Sequence, residues 1–278
     1  MPSLILEGGT LRPIFSAGVM DALLDHEVMF PYCIGVSAGI SNGFSYISKQ
    51  NRRNLDILEK YRHDKRYIGV HNFLRSRSLF GLDFIFREIP NTLLPFNTET
   101  FNTYPGQLIV GVTNAHSGTP EYMNGLDIDE HWTMLRATCA LPLFFPAIEI
   151  NGTKYYDGGL SDPIPIRKAI TDGNNKHLIV LTQPKGYVKP LSKENAMVGK
   201  LLKRKYPNLE EILLTRHDKY NETVAFCEQL EKDGQAIIFR PKQSLNSFEK
   251  DIHVLRNTYQ HGYDMAINHM NDIHKLFL

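Results

Sequence analysis

Ser37 stands at the centre of Gly35-Val36-Ser37-Ala38-Gly39, a Gly-x-Ser-x-Gly pattern that suits a hydroxyl nucleophile. A serine so placed sits on a sharp strand-to-helix turn that aims its Oγ at the helix N-terminus. Gly35 and Gly39 permit the tight turn and a close helix–strand approach. The plainer alternative is a turn in which Ser37 merely caps the helix. A second cluster, Gly8-Gly9-Thr10-Leu11-Arg12, also lies between a strand and a helix. Backbone N–H groups exposed there, beside the positive helix end, would hold a developing oxyanion. They would hold a phosphate equally well, and a structural turn needs neither. The dinucleotide fingerprint Gly-x-Gly-x-x-Gly is not met. The third cluster is Asp157-Gly158-Gly159. Its carboxylate could act on Ser37 as a general base, although Asp before two glycines is also an ordinary turn. None of the 11 histidines lies in an evident motif. His116, in Asn114-Ala115-His116-Ser117-Gly118, is the rival base, and His26, His63, His71, His131 and His253 read as surface residues.

These clusters need elements to position them. Leu4-Ile5-Leu6 reads as a buried strand stopped at Gly8-Gly9, and Pro13 stands where a helix would start. Tyr32 to Val36 is a second strand, and Ala38 to Ser48 can run as a small-residue helix. Two consecutive strand–turn–helix units predict an α/β fold with a mostly parallel central sheet flanked by helices. Gln107 to Thr113 is a further strand, with 119–123 pairing beside it. Trp132 to Leu141 reads as a helix ended by Pro142 and Pro146. Residues 148–150 and 154–156 form a hairpin around Asn151-Gly152. Leu178 to Leu181 and Ala236 to Phe239 are strands, and 208–233 and 247–277 are amphipathic helical segments. A Lys-rich polar stretch runs from Lys185 to Lys205.

The chain has 278 residues, enough for one large α/β unit or a core with an extension. Its 31 basic and 30 acidic residues leave a formal net charge of +1, so nothing global argues for a nucleic-acid partner. Cys33, Cys139 and Cys227 are odd in number and widely spaced. That argues against a disulfide framework or a zinc site and for reduced thiols. Cys33 and Cys139 sit in apolar surroundings and read as buried small hydrophobes. The first residues show no basic n-region or long apolar h-region, and no apolar run approaches the ~20 residues of a membrane helix. A cytoplasmic location is expected. Residues 49–77 carry nine Lys or Arg with interleaved aromatics, and Phe80, Phe84 and Phe86 follow. The stretch 49–86 reads either as a solvated helix with a few core aromatics or as a lid or peripheral surface for anionic lipid.

Taken together, the three clusters resemble the patatin-like phospholipase family. The order matches: a Gly-rich loop with Arg, then Gly-x-Ser-x-Gly, then Asp-Gly-Gly. Residues 4–48 are a close likeness, as is the run from Leu135-Arg136-Ala137-Thr138 through Pro142 and Phe145-Pro146 into Tyr156-Asp157-Gly158-Gly159. The likeness covers about 1–185 as a catalytic core, with 186–278 an extension adding a strand and helices, similar to a bacterial cytoplasmic branch. The resemblance implies a three-layer sandwich, a Ser37–Asp157 dyad without histidine, and an acyl-enzyme formed from a lipid or other acyl ester. It implies an oxyanion hole at Gly8, Gly9, Thr10 and Arg12, with Gly35, Gly39, Gly158 and Gly159 shaping the turns, and neither metal nor cofactor. The family's loop usually reads Gly-Gly-Gly-x-Arg-Gly, and here Thr10 and Pro13 replace two glycines. Thr10 keeps its N–H but adopts positive φ less readily, and Pro13 has no N–H to donate. A non-catalytic binding or regulatory protein on the same fold is the alternative that Thr10 motivates.

Overall fold

The computed structural model describes residues 1–76 and 78–278, with Arg75 and Ser76 as backbone only. The chain begins β1 (Pro2–Leu6), α1 (Ile14–Asp25), β2 (Tyr32–Val36), α2 (Ser37–Ile47), α3 (Arg53–Tyr61) and α4 (Val70–Ser76). A π-helical segment (Phe84–Leu93) precedes α5 (Thr98–Asn102), β3 (Gln107–Asn114), β4 (Pro120–Asn124) and α6 (Thr133–Thr138). Next come β5 (Ile148–Ile150), β6 (Thr153–Asp157), α7 (Ile166–Thr171), β7 (Lys176–Val180) and α8 (Lys193–Leu202). The chain closes with α9 (Pro207–Lys232), β8 (Ala236–Phe239), α10 (Ile252–Asn268) and α11 (Met270–Lys275).

Among the described residues one sheet runs in the order β5-β6-β3-β2-β1-β7-β8, with β4 also on β3. Strands β3, β2, β1, β7 and β8 are parallel neighbours. β4 and β6 run antiparallel to β3, and β5–β6 is the hairpin. The expected mostly parallel α/β sheet with flanking helices is therefore what the chain forms. Alternation along β1 makes the layers. Leu4 and Leu6 pack with Phe15 and Val19 of α1, Phe44 of α2 and Ala266 of α10. Ile5 points the other way, onto Ile166 of α7 and Val224 of α9. Each such buried side chain contributes roughly 2 kcal/mol of transfer free energy.

The register of β3 decides where chemistry can occur. Gly111 opposes Val36 of β2, and Val112 opposes Asp157 of β6. β4 pairs with residues 109–113 of the same strand, so it takes the opposite edge. Thus β2 and β6 share one edge of β3 end to end, and their C-terminal residues meet.

Some expectations need correction. The helix expected over 132–141 stops at Thr138: the Ala140 amide donates to the Ala137 carbonyl and the Leu141 amide to the Cys139 carbonyl, out of helical register, and the Ala140 carbonyl accepts from the Asp157 amide (2.9 Å). The Lys-rich stretch contains α8, started by Ser192, whose Oγ accepts from Asn195 N. The segment 247–277 is non-helical to Asp251, which caps α10, and breaks again at His269. Within 49–86 several cations serve the fold. Arg53 donates to the Leu94 carbonyl, and Arg62 to the carbonyls of Phe248 and Glu249. Tyr67, Phe80, Phe84 and Phe86 are buried, whereas Val70, Phe73 and Leu74 are exposed. Arg77 of that stretch lies outside the described residues. No helix among the described residues is long and apolar enough to cross a membrane.

Candidate active site

Ser37 sits at the first position of α2 with φ 55°, in left-handed backbone. For a residue with a Cβ this conformation costs roughly 1–2 kcal/mol. The turn is fixed from below: Ser37 N donates to Thr138 Oγ1 (2.8 Å), which itself donates to the Gly111 carbonyl (2.6 Å). The side chain does not cap the helix. Its Oγ donates to Asp157 Oδ2 at 2.6 Å. Close packing demands glycine at Gly39, where a Cβ would lie 2.3 Å from the Glu7 carbonyl oxygen. Gly35 and Gly8 are also close-packed, against Leu6 and Ser37, at 2.6 and 2.8 Å from an added Cβ.

Asp157 is held on every side. Its amide bonds Ala140 O, its carbonyl accepts from Thr113 Oγ1 (2.7 Å), and Oδ1 accepts from Gly159 N (2.7 Å). Gly158 lies against Gly111, whose carbonyl oxygen would be 2.2 Å from an added Cβ. Burial raises the Asp157 pKa to about 6, against the opposing pull of hydrogen bonds from Ser37 and Gly159 and of Arg216 nearby. A carboxylate tuned toward neutrality is a better proton acceptor than an ordinary one near ~3.9.

The Gly8–Arg12 loop faces this pair. Thr10 has φ 58°, so the threonine adopts the left-handed backbone that a glycine would take more readily. The amides of Gly8, Gly9 and Thr10 donate to no group among the described residues. The loop is tied elsewhere: Thr182 Oγ1 bonds Gly8 O, Leu11 N bonds Ser247 O, and Arg12 Nη1 donates to Ser247 Oγ at 2.6 Å. Pro13 directly precedes α1, where its missing N–H would have had no helical partner anyway.

Two cavities meet at Ser37 and Thr10. One, of about 180 Å³, is mainly apolar, with Leu58, Tyr67, Phe86, Trp132 and Leu135 in its wall. The other, of about 360 Å³, is the more polar of the two and contains Gly9, Arg12, Asp157, Lys189 and Arg216. His116 lines neither; it is exposed and packs edge-on to Tyr206. Cys33 is buried as expected, but Cys139 is only half-buried. Its Sγ lies 3.4 Å from Ser41 Oγ on the apolar cavity wall, and burial pushes its thiol up to about 12. Among the described residues no group of three or more His, Cys, Asp or Glu is placed to hold a metal ion.

The family model for patatin-like phospholipases matches residues 4–170, and the chain belongs to that family. Residues 206–277 match a domain of unknown function (DUF6363). An uncharacterized protein YjjU of Escherichia coli (strain K12) is 27% identical over 66% of this chain and 52% of its own length. Lysophospholipase nte1 of Aspergillus terreus (strain NIH 2624 / FGSC A1156) is 27% identical over 59% of this chain and 10% of its length. The chain thus spans about half of the first relative and a tenth of the second. The structure of VipD from Legionella pneumophila superposes with a TM-score of 0.50 at 11% identity, covering 98% of this chain and 67% of that one. That likeness is one of fold. Lipid hydrolase activity is supported at the level of the family.

Sequence motifs brought Ser37, Asp157 and the Gly8–Arg12 loop to attention, and the fold places them together. Thr138, Thr182, Lys189, Arg216 and Ser247 also surround them, and no local pattern marks these residues. Thr138 lies inside the stretch that carries the family likeness, which is the one signal pointing to it.

Proposed function

We propose that the chain is a serine acyl hydrolase that cleaves carboxylic ester bonds of lipids, of phospholipase or lysophospholipase type, through a Ser37–Asp157 dyad. The observation that carries this reading is the 2.6 Å bond from Ser37 Oγ to a buried Asp157 that is itself held by Gly159 N. As Oγ attacks the ester carbonyl, Asp157 takes its proton. The tetrahedral oxyanion is received by the free amides of Gly9 and Thr10, at the end of the Gly8 turn and with Arg12 beside them. One such donor is typically worth ~3 kcal/mol of barrier. The alcohol leaves with the proton from Asp157, and the acyl group stays on Ser37. Asp157 then deprotonates water, which releases the acid. The apolar cavity suits an acyl chain, and the name of the Aspergillus terreus relative supports a lipid ester. In this reading 1–185 is the catalytic core in the cytoplasm and 186–278 extends the same sheet. Exposed Val70, Phe73 and Leu74 offer a peripheral lipid contact.

The test is a fluorophosphonate probe followed by mass spectrometry, with turnover of p-nitrophenyl butyrate. Labelling at Ser37 and turnover are expected. A folded protein with neither is a non-catalytic member of the family, and the reading fails.

A further inference from the structure

The more polar cavity beside Ser37 holds three cations from three parts of the chain: Arg12, Lys189 and Arg216. None of them forms an ion pair among the described residues. Arg12 spends Nη1 on Ser247 Oγ, and its Nε is buried without a partner. Arg216 Nε donates to the Gly159 carbonyl (2.7 Å), and its terminal nitrogens make no hydrogen bond among the described residues. Lys189 Nζ lies 4.5 Å from the centre of the Tyr220 ring. The Lys189 backbone is pinned on both sides by Asn221: its N–H donates to Oδ1, and its C=O accepts from Nδ2. Arg216, Tyr220 and Asn221 follow one another along α9, so one helix presents one cation and anchors another.

Among the described residues three carboxylates share this cavity, and each accepts its hydrogen bonds from groups other than these cations. Glu7 Oε2 accepts from Thr182 N, both Asp157 oxygens are bonded, and Glu194 Oε2 accepts from Ser192 Oγ. Asp157 and Glu7 offset part of the charge of Arg216, and Glu7 part of that of Lys189, but no carboxylate hydrogen-bonds to any of the three cations among the described residues. Burial and the neighbouring Arg216 still press the Lys189 pKa down to about 8. Arginine forks and a lysine point charge are the groups that recognise phosphate.

We propose that this cavity is a phosphate subsite, which takes the phosphate on the alcohol part of the ester and makes a monoacyl phosphoglycerol a better substrate than a neutral acylglycerol. The proposal rests on the hydrolase reading for its substrate, but its binding half can be tested without turnover.

Calorimetry of the Ser37→Ala protein with sn-glycerol 3-phosphate should show binding in the millimolar range or tighter, about −4 kcal/mol. Lys189→Gln should weaken it at least tenfold, and Lys189→Arg should restore it, with thermal melts confirming that each variant is folded. In parallel, the ratio of kcat/KM for 1-acyl glycerol 3-phosphate to that for the 1-monoacylglycerol of the same chain should exceed ten and fall toward one in Lys189→Gln. No binding, together with Ser37-dependent turnover at a ratio near one, overturns the subsite and leaves the hydrolase standing. Binding without turnover of any ester leaves the subsite standing and removes the hydrolase reading. Equal affinity for inorganic phosphate with no substrate preference assigns the cavity to free phosphate and overturns the proposal.

Discussion

The β1–α1 and β2–α2 units are built alike but present different groups. Both strands are parallel neighbours at the centre of the sheet, and each turn contains a non-glycine residue in left-handed backbone, Thr10 at φ 58° and Ser37 at φ 55°. The β2 turn offers a side-chain hydroxyl, bonded to Asp157 and braced by Thr138 from the same half of the chain. The β1 turn offers main-chain N–H groups, and it is braced from the later half by Thr182 and Ser247. The strain at Ser37 cannot be removed without removing Oγ. In the proposed mechanism the Thr10 amide is the useful group, so a glycine would serve it with less strain. Under that proposal the same backbone cost accompanies a required side chain in one unit and a dispensable one in the other.

The comparison breaks most sharply at Ser37. Ser37→Ala should lower esterase activity by at least about 10⁴-fold, as loss of a nucleophile does elsewhere, while the melting temperature stays close to that of the parent. Retained turnover would remove the hydroxyl from the chemistry. Asp157→Asn comes next, with an expected loss of about 10³-fold or more. The parent's kcat/KM should rise with pH through about 6, as Asp157 ionises, and level off above it. Stability runs in the opposite direction. The folded-state pKa lies above the usual 3.8, so the stability linked to Asp157 is full below 3.8 and is lost as pH rises through about 6. Asp157→Asn should therefore gain stability relative to the parent between pH 4 and 7. Denaturant titrations at both ends of that range read it out, and a difference that stays constant would show that Asp157 ionises normally.

The two turns were legible because turn chemistry is local: glycines, Ser37 and Asp157 declare themselves within five residues of sequence. The hairpin around Asn151-Gly152 and the apolar tetrapeptide of β8 were legible for the same reason. Other parts were not. The helix α7 has six residues, too few to show a period. The helix α6 falls short where the amides of Ala140 and Leu141 turn to nearer carbonyls and Ala140 O meets the distant Asp157 amide, a contact no local pattern encodes. Arg216, Lys189 and Ser247 reach the site from α9 and from loops on its two sides, so only the packed fold reveals them. The Asp157–Ser37 contact depends on β2 and β6 sharing one edge of β3, which two motifs 120 residues apart cannot disclose.

A smaller effect is expected at Gly39, and it is one of packing. A Cβ there would lie 2.3 Å from the Glu7 carbonyl oxygen, so α2 must shift away from the end of β1. Gly39→Ala should cost about 1–3 kcal/mol, the range for overpacking, read as a lower urea midpoint with an unchanged slope. Because Glu7 adjoins the Gly8 turn, the shift would separate the two turns, and activity should fall with stability. Full activity at reduced stability would show that the turns need not be held at this distance.

The smallest effect is the most discriminating for the comparison. Thr10→Gly keeps the amide and releases the left-handed strain, worth roughly 1–2 kcal/mol. Against that stands the greater freedom of glycine in the unfolded chain, roughly 0.5–1 kcal/mol. The net should be a stabilisation of up to about 1 kcal/mol, measurable as a rise in the urea midpoint. The bonds of Leu11 and Arg12 to Ser247 hold the loop on its far side, so the change should not release it. A fall in kcat/KM beyond about tenfold would assign the Thr10 side chain a part in the chemistry. The two units would then be alike in what they present as well as in how they are built.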